Sequence, residues 1–174
     1  NVPRVRRHDA PAVTVGIGRR ALRAMQCEIG RFTDQETGGV LLGYALDDEL
    51  RIVEAVDGGY TGVLRESGRF MYNADYVEHV SNVLSALYSP PLELVGVWHK
   101  HNHALPPVFS QEDEEMHCRL LSLVRHDVCS ILFQKRENSM EYVMRTYCVP
   151  QTGAYEEVLP RIMQWSNMCF SKEE

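Results

Sequence analysis

Between Gly96 and Asp113 the chain reads GVWHKHNHALPPVFSQED, with histidines at 99, 101 and 103 and a Ser110-x-x-Asp113 beyond a loop holding Pro106 and Pro107. On extended backbone, residues two apart point to one side, about 6.6 Å apart along the chain. An H-x-H pair at a strand end can therefore send two imidazoles toward one ion. His99 with His101 meets this condition, and so does His101 with His103. A catalytic zinc site takes three protein ligands and keeps a fourth position for water. Asp113, at the start of the next helix, is the natural third ligand, because the proline loop can turn the chain back to it. Such a site activates water and polarises a carbonyl. It also needs a carboxylate outside the ligand set to carry a proton to the leaving amine. Glu36 suits that role, since it enters a buried strand through Gly38 and Gly39, where the backbone can come close to other segments.

The elements that must position these residues are legible in outline. AVTVGI (12–17) reads as a strand, and Leu22, Met25, Ile29 and Phe32 recur at helical spacing over 19–32. ETGGVLLGYAL (36–46) and LRIVEAV (50–56) form a hairpin across the acidic turn DDE. The glycine-rich stretch 57–69 is a surface loop. A helix over 74–88 carries Tyr76, Val77, Val80, Val83, Leu84 and Leu87 on one stripe and ends at Pro90 and Pro91. LELVGVW (92–98) is a buried strand that delivers the histidines at its C-terminal end. Ser110 starts a helix to about Arg125, with Met116, Leu120, Leu121 and Val124 facing inward. Strands over 128–134 and 141–149 join through a turn near Asn138, and an amphipathic segment from Tyr155 to about Cys169 closes the chain. The sum is a single α/β domain, a mixed β-sheet flanked by helices, over 11–174.

Bulk properties bound the function classes. At 174 residues the chain can bury one sizeable core. A net charge of −6 argues against a protein that coats nucleic acid, since such domains are usually basic. The basic cluster RVRR (4–7) lies in a terminal stretch, 1–10, that reads as a flexible tail. Five widely spaced cysteines without C-x-x-C suggest reduced, mostly buried thiols and a cytoplasmic setting. No apolar run is long enough to cross a bilayer, so no membrane is expected. His117, Cys118, His126 and Cys129 lack compact ligand spacing, and a second zinc is not expected. Ser110-x-x-Asp113 is also a helix-capping pattern, and that duty is compatible with a functional one.

Taken together, Glu36-Thr-Gly-Gly leading into VLLG, then Gly-Val-Trp98-His99-x-His101, then Ser110-x-x-Asp113 resemble the JAMM motif of JAB/MPN-domain zinc metalloproteases. The order of elements fits that family over most of the chain. The resemblance implies a cytidine-deaminase-like JAB/MPN fold and one catalytic zinc ion held by His99, His101 and Asp113. It implies Glu36 as the proton carrier and Ser110 as a hydrogen-bond donor to the oxyanion. Eight residues separate His101 from Ser110, one more than the family's usual spacing, whereas counting from His103 leaves six. Trp98-His99 continues the strand as the family's motif does, so His99 and His101 are the favoured pair. His103, Gly38 and Gly39 then fall to substrate contact. Lys100 stands where the family usually has Ser or Thr, and strand alternation turns it away from the metal.

What the resemblance implies for function is a deubiquitinase-like isopeptidase or peptidase that cleaves after the C-terminal tail of a ubiquitin or ubiquitin-like protein. Its short length resembles prokaryotic members encoded beside ubiquitin-activating and ubiquitin-conjugating-like enzymes, some of which serve anti-phage defence. The alternatives are a peptidase acting on a sulfur-carrier protein or small amide, and a non-catalytic MPN scaffold.

Overall fold

The computed structural model describes residues 13–102, 109–136, 139–151 and 155–164. The expected N-terminal tail, His103, the proline loop, the turn at Asn138 and everything past Gln164 lie outside them.

Among the described residues, ten strands and three helices follow in the order β1 (Thr14–Gly18), α1 (Arg19–Arg31), β2 (Thr37–Ala45), β3 (Glu49–Asp57), β4 (Leu64–Arg65), β5 (Phe70–Met71), α2 (Ala74–Ser85), β6 (Glu93–His101), α3 (Gln111–Leu123), β7 (Val128–Lys135), β8 (Tyr142–Val149), β9 (Glu156–Val158) and β10 (Arg161–Met163). Eight strands form one mixed sheet in the order β10-β1-β3-β2-β6-β7-β8-β9, and β4 pairs with β5 apart from it. The β1–β10, β1–β3 and β6–β7 pairs are parallel and the rest antiparallel.

The two edges of this sheet, β9 and β10, are joined by only Leu159 and Pro160. Three Cα–Cα steps span at most about 11 Å. The sheet must therefore curl until its edges nearly meet. It curls around a cluster that combines Ala21, Met25 and Ile29 of α1 with Val15, Leu41, Ile52, Val95, Trp98 and Ile131 of the strands, and Val158 of β9 packs against the same cluster. The other face carries α2 and α3 over Val40, Leu42, Val53, Val97 and Val128. Each strand alternates between these two layers, so the pleat alone decides which side chains share a face.

Three expectations need correction. On α2, Val77 is buried and Tyr76, Val80 and Leu84 pack against the core, but Val83 is exposed, because the helix meets the sheet along a narrower strip than the apolar stripe suggests; the helix also ends at Ser85, capped by Ala86, so Leu87 lies beyond it and is exposed. The described part of the C-terminal segment forms β9 and β10, since the sheet offers it both free edges. Cys129 and Cys148 are buried as expected, but Cys27 and Cys118 are exposed on helices; all four are free thiols. The loop over 57–69 is irregular as read, apart from β4.

Close strand packing yields a stability test. A Cβ on Gly96 would lie 2.0 Å from the Cys129 carbonyl oxygen across the β6–β7 pair, and backbone cannot give way there. Gly96→Ala is expected to cost at least about 2 kcal/mol, the scale of overpacking. Thermal unfolding followed by circular dichroism should show Tm lower by roughly 5 °C or more. An unchanged Tm would mean the strands are not so tightly apposed.

Candidate metal centre

β6 runs through both histidines rather than ending before them, so their side chains follow the pleat. Val97 faces the α2/α3 layer, and His99 and His101 continue that alternation, while Trp98 and Lys100 point to the α1 side. The two Nε2 atoms lie 2.8 Å apart. Asp113 reaches them from the first turn of α3, its Oδ1 3.3 Å from His99 Nε2 and its Oδ2 3.7 Å from His101 Nε2. These donor atoms all fall within 4.8 Å of one another, as a metal group requires. Ligand bonds of about 2.0–2.1 Å at tetrahedral angles place donors about 3.3 Å apart. The observed spacings bracket that value. Two neutral imidazole nitrogens and a carboxylate repel when they converge unprotonated, and a cation at the point of convergence relieves this. The donor set fits zinc.

The electrostatics hold His99 and Asp113 in the forms that could take a cation. Burial, reinforced by the neighbouring His101 and His117 and opposed by Asp113, pushes His99 down to about 4, so its ring is neutral at physiological pH. Asp113 is itself desolvated, which favours the acid. The hydrogen bond from His101, the positive charge that His99 takes up at low pH and the bonds from Ser110 outweigh this and hold it well below the usual carboxylate range. Ser110 caps α3: its backbone N–H and its hydroxyl both donate to Asp113 Oδ2, at 2.7 and 2.8 Å, and its oxygen accepts from the Asp113 N–H at 3.1 Å. The cap thus fixes one carboxylate oxygen and leaves Oδ1 toward His99.

Glu36 immediately precedes β2, which pairs antiparallel with β6 in the register Thr37↔Lys100 and Gly38↔His99. One step further sets Glu36 opposite His101. Its backbone N–H donates to Glu66 O at 2.8 Å, and its carboxylate accepts from the Asn102 backbone N–H. Burial raises its pKa from 4.5 to about 6; the Asp113 charge adds to this, and His101, the Asn102 bond and Lys100 oppose it. The site therefore holds a second carboxylate, outside the ligand group and poised near neutrality, where a proton carrier works well.

Several supporting residues escaped the sequence reading. Arg65, buried, donates to Glu28 Oε1 at 2.9 Å and to Thr37 Oγ1 at 3.2 Å, and its guanidinium stacks 4.1 Å from the Phe32 ring centroid. His117 is buried, with Nε2 2.9 Å from Ser130 Oγ and Nδ1 3.2 Å from Tyr155 Oη. Phe109 stacks among His117, Tyr147 and Tyr155, anchoring the residue before Ser110. Lys100 is fully buried and turned away from the ligands, as alternation requires. The orientation of Lys100 follows from strand alternation, whereas the contacts of Arg65, His117 and Phe109 join different elements and are not encoded by spacing.

Gly38 and Gly39 have a packing reason in the sheet. A Cβ on either would lie 2.5 Å from Trp98 O or 1.9 Å from Val56 O respectively. Among the described residues, no helix is long and apolar enough to cross a membrane.

A family model described as prokaryotic homologs of the JAB domain matches residues 19–148. A comparison with curated protein sequences found no significant match. Among solved structures, the solution structure of protein DSY2949 from Desulfitobacterium hafniense is similar, with a TM-score of 0.59 and 14% identity over 87% of this chain and 94% of that one. At that identity the likeness concerns the fold.

The raised Glu36 pKa makes a measurable claim. Folding favours its protonated form, so its contribution to stability is full below about pH 4.5 and is lost as pH rises through about 6. The shift corresponds to roughly 2 kcal/mol at about 1.36 kcal/mol per unit. In chelator-treated protein, Glu36→Gln should raise stability to urea by about 1–2 kcal/mol at pH 7.5 and leave it unchanged near pH 4. A gain that is the same at both pH values would contradict the assignment.

Proposed function

The chain belongs to the prokaryotic homologs of the JAB domain, and on that premise we propose that it is a zinc-dependent peptidase or isopeptidase that cleaves after the C-terminal tail of a ubiquitin-like protein. The observation that carries the reading is the convergence of His99, His101 and Asp113 beside a separate buried carboxylate, Glu36. A scaffold needs neither. Retaining a buried acid above its ordinary pKa costs stability, and catalysis is the natural compensation.

A zinc ion held by His99, His101 and Asp113 supplies a Lewis acid that polarises the scissile carbonyl and makes water nucleophilic near neutral pH. The residues divide the remaining work. Glu36 accepts the proton of the attacking water and returns it to the amine as the C–N bond breaks, and a pKa of about 6 suits both directions. Asn102 holds the Glu36 carboxylate through its backbone N–H. The Ser110 hydroxyl, which donates to Asp113 Oδ2, turns to donate to the oxyanion, a contribution of about 3 kcal/mol in acyl transfer. An extended tail with main-chain hydrogen bonds suits a cleft beside the 57–69 loop. The partners proposed are ubiquitin-like conjugates and the activating and conjugating-like enzymes that make them, in a cytoplasmic conjugation or defence system. Nucleic acid and membranes are not among them.

Purified protein should contain one zinc per chain by elemental analysis and should cleave a ubiquitin-like fusion from its genomic neighbourhood only without chelator. Glu36→Gln should abolish cleavage, and zinc content and fold should persist. Zinc-free protein with no capacity to bind the ion would leave the scaffold reading standing, and an active Glu36→Gln would refute the proton-carrier role.

A further inference from the structure

A buried cation remains unexplained once the site is assembled. Lys100 lies in β6 between the two histidines and is 0% exposed. Among the described residues no carboxylate stands within ion-pair distance of it. Its ammonium instead donates to the carbonyls of Phe32 and Thr33, the latter at 3.2 Å, and faces the Tyr142 ring 5.1 Å from its centroid. These carbonyls lie at the C-terminal end of α1, where the helix dipole favours a cation. A charge this deep is tolerated only when anchored, so the contact is a strong one.

The anchored carbonyls open the connection 32–36 that delivers Glu36 to β2. That connection has other ties. Tyr142 Oη donates to Thr33 O at 3.0 Å, Arg65 stacks on Phe32, and the Glu36 N–H bonds Glu66 O. Lys100 differs from these because it starts from the ligand strand itself. The pleat sends His99 and His101 toward the metal group and the intervening side chain through the sheet to the segment that carries the acid.

We infer that Lys100 is a positioning residue: a strut from the ligand strand to the connection 32–36 that fixes where Glu36 stands relative to His99 and His101. This rests on the proposed reading in which Glu36 works beside a metal group. Removing the charge leaves the β2–β6 backbone pairing in place and frees the connection.

Zinc alone is the probe. Hydrogen exchange at single amides, the carboxyl 13C resonance of Glu36 and zinc affinity by competition with a chromophoric chelator are measured in wild type, Lys100→Met, Lys100→Arg and Tyr142→Phe. In Lys100→Met the Glu36 amide should exchange at least about tenfold faster and the Glu36 carboxyl resonance should move. The amides of Val97 and Leu120 and the zinc affinity should stay within about twofold of wild type. Lys100→Arg should restore the Glu36 amide, and Tyr142→Phe should loosen it by a smaller factor. Uniform acceleration of all amides, or unchanged exchange at Glu36, would overturn the inference. Should Lys100→Met not fold, Tyr142→Phe decides by the same selectivity. Wild-type protein that binds no zinc would defeat the proposed function instead, a separate result.

Discussion

The antiparallel pairing of β2 with β6 sets every distance that matters at the site. In this register Gly38 faces His99, Gly39 faces Trp98, and Glu36 arrives beside His101. β2 is held between β6 and β3 so closely that a side chain at Gly39 would strike Val56 O. The glycines after Glu36 are thus a means of close approach rather than of flexibility, and they let a carboxylate at a strand entrance reach a group at its neighbour's exit. The 1.9 Å that a Cβ would leave at Gly39 is less than the bulk of a methyl group, so no other residue type fits without parting the strands.

How legible this was depended on how local the cause is. The H-x-H pair was readable because a strand's period of two needs no partner to specify it. The capping box was readable because Ser110 and Asp113 satisfy each other within one helical turn. The helices were readable by period; Val83 was misplaced because periodicity states which residues share a stripe and not how much of it the sheet covers, and Leu87 because the helix stops at Ser85, short of the prolines. β9 and β10 were missed for a related reason: three-residue strands carry no period, and what makes them strands is the pair of open edges waiting at either end of a curled sheet. Arg65, Phe109 and His117 lay beyond sequence reading because each has a partner in a distant element: Thr37 for Arg65, Tyr147 for Phe109 and Tyr155 for His117.

At Ser110 and Asp113 the compatibility of capping and coordination has a physical form: the cap prepares Asp113 as a candidate ligand. Two donors from Ser110 occupy Oδ2, fix the carboxylate plane and keep the group ionised although it is buried. Outer hydrogen bonds of this kind orient ligands in metal sites generally. Removing the cap would therefore disturb the helix start and the ligand together, and the two effects share one cause.

The same cleft holds two carboxylates whose environments drive them apart. Asp113 meets a cap, two imidazoles and the N-terminus of α3, all of which favour the anion. Glu36 meets a low-dielectric wall and the negative charge of Asp113, which outweigh His101, one backbone N–H and a more distant lysine, and is pushed up to about 6. Two acids so separated suit different work: the one that stays charged suits a cation, and the one near neutrality can hold or release a proton. Exchange of their surroundings would exchange their roles, since the chemistry belongs to the positions and not to the choice of Asp or Glu. That is why the candidate metal group comes from β6 and α3, and why the acid proposed to carry the proton enters from β2, across the sheet and outside the cap's reach.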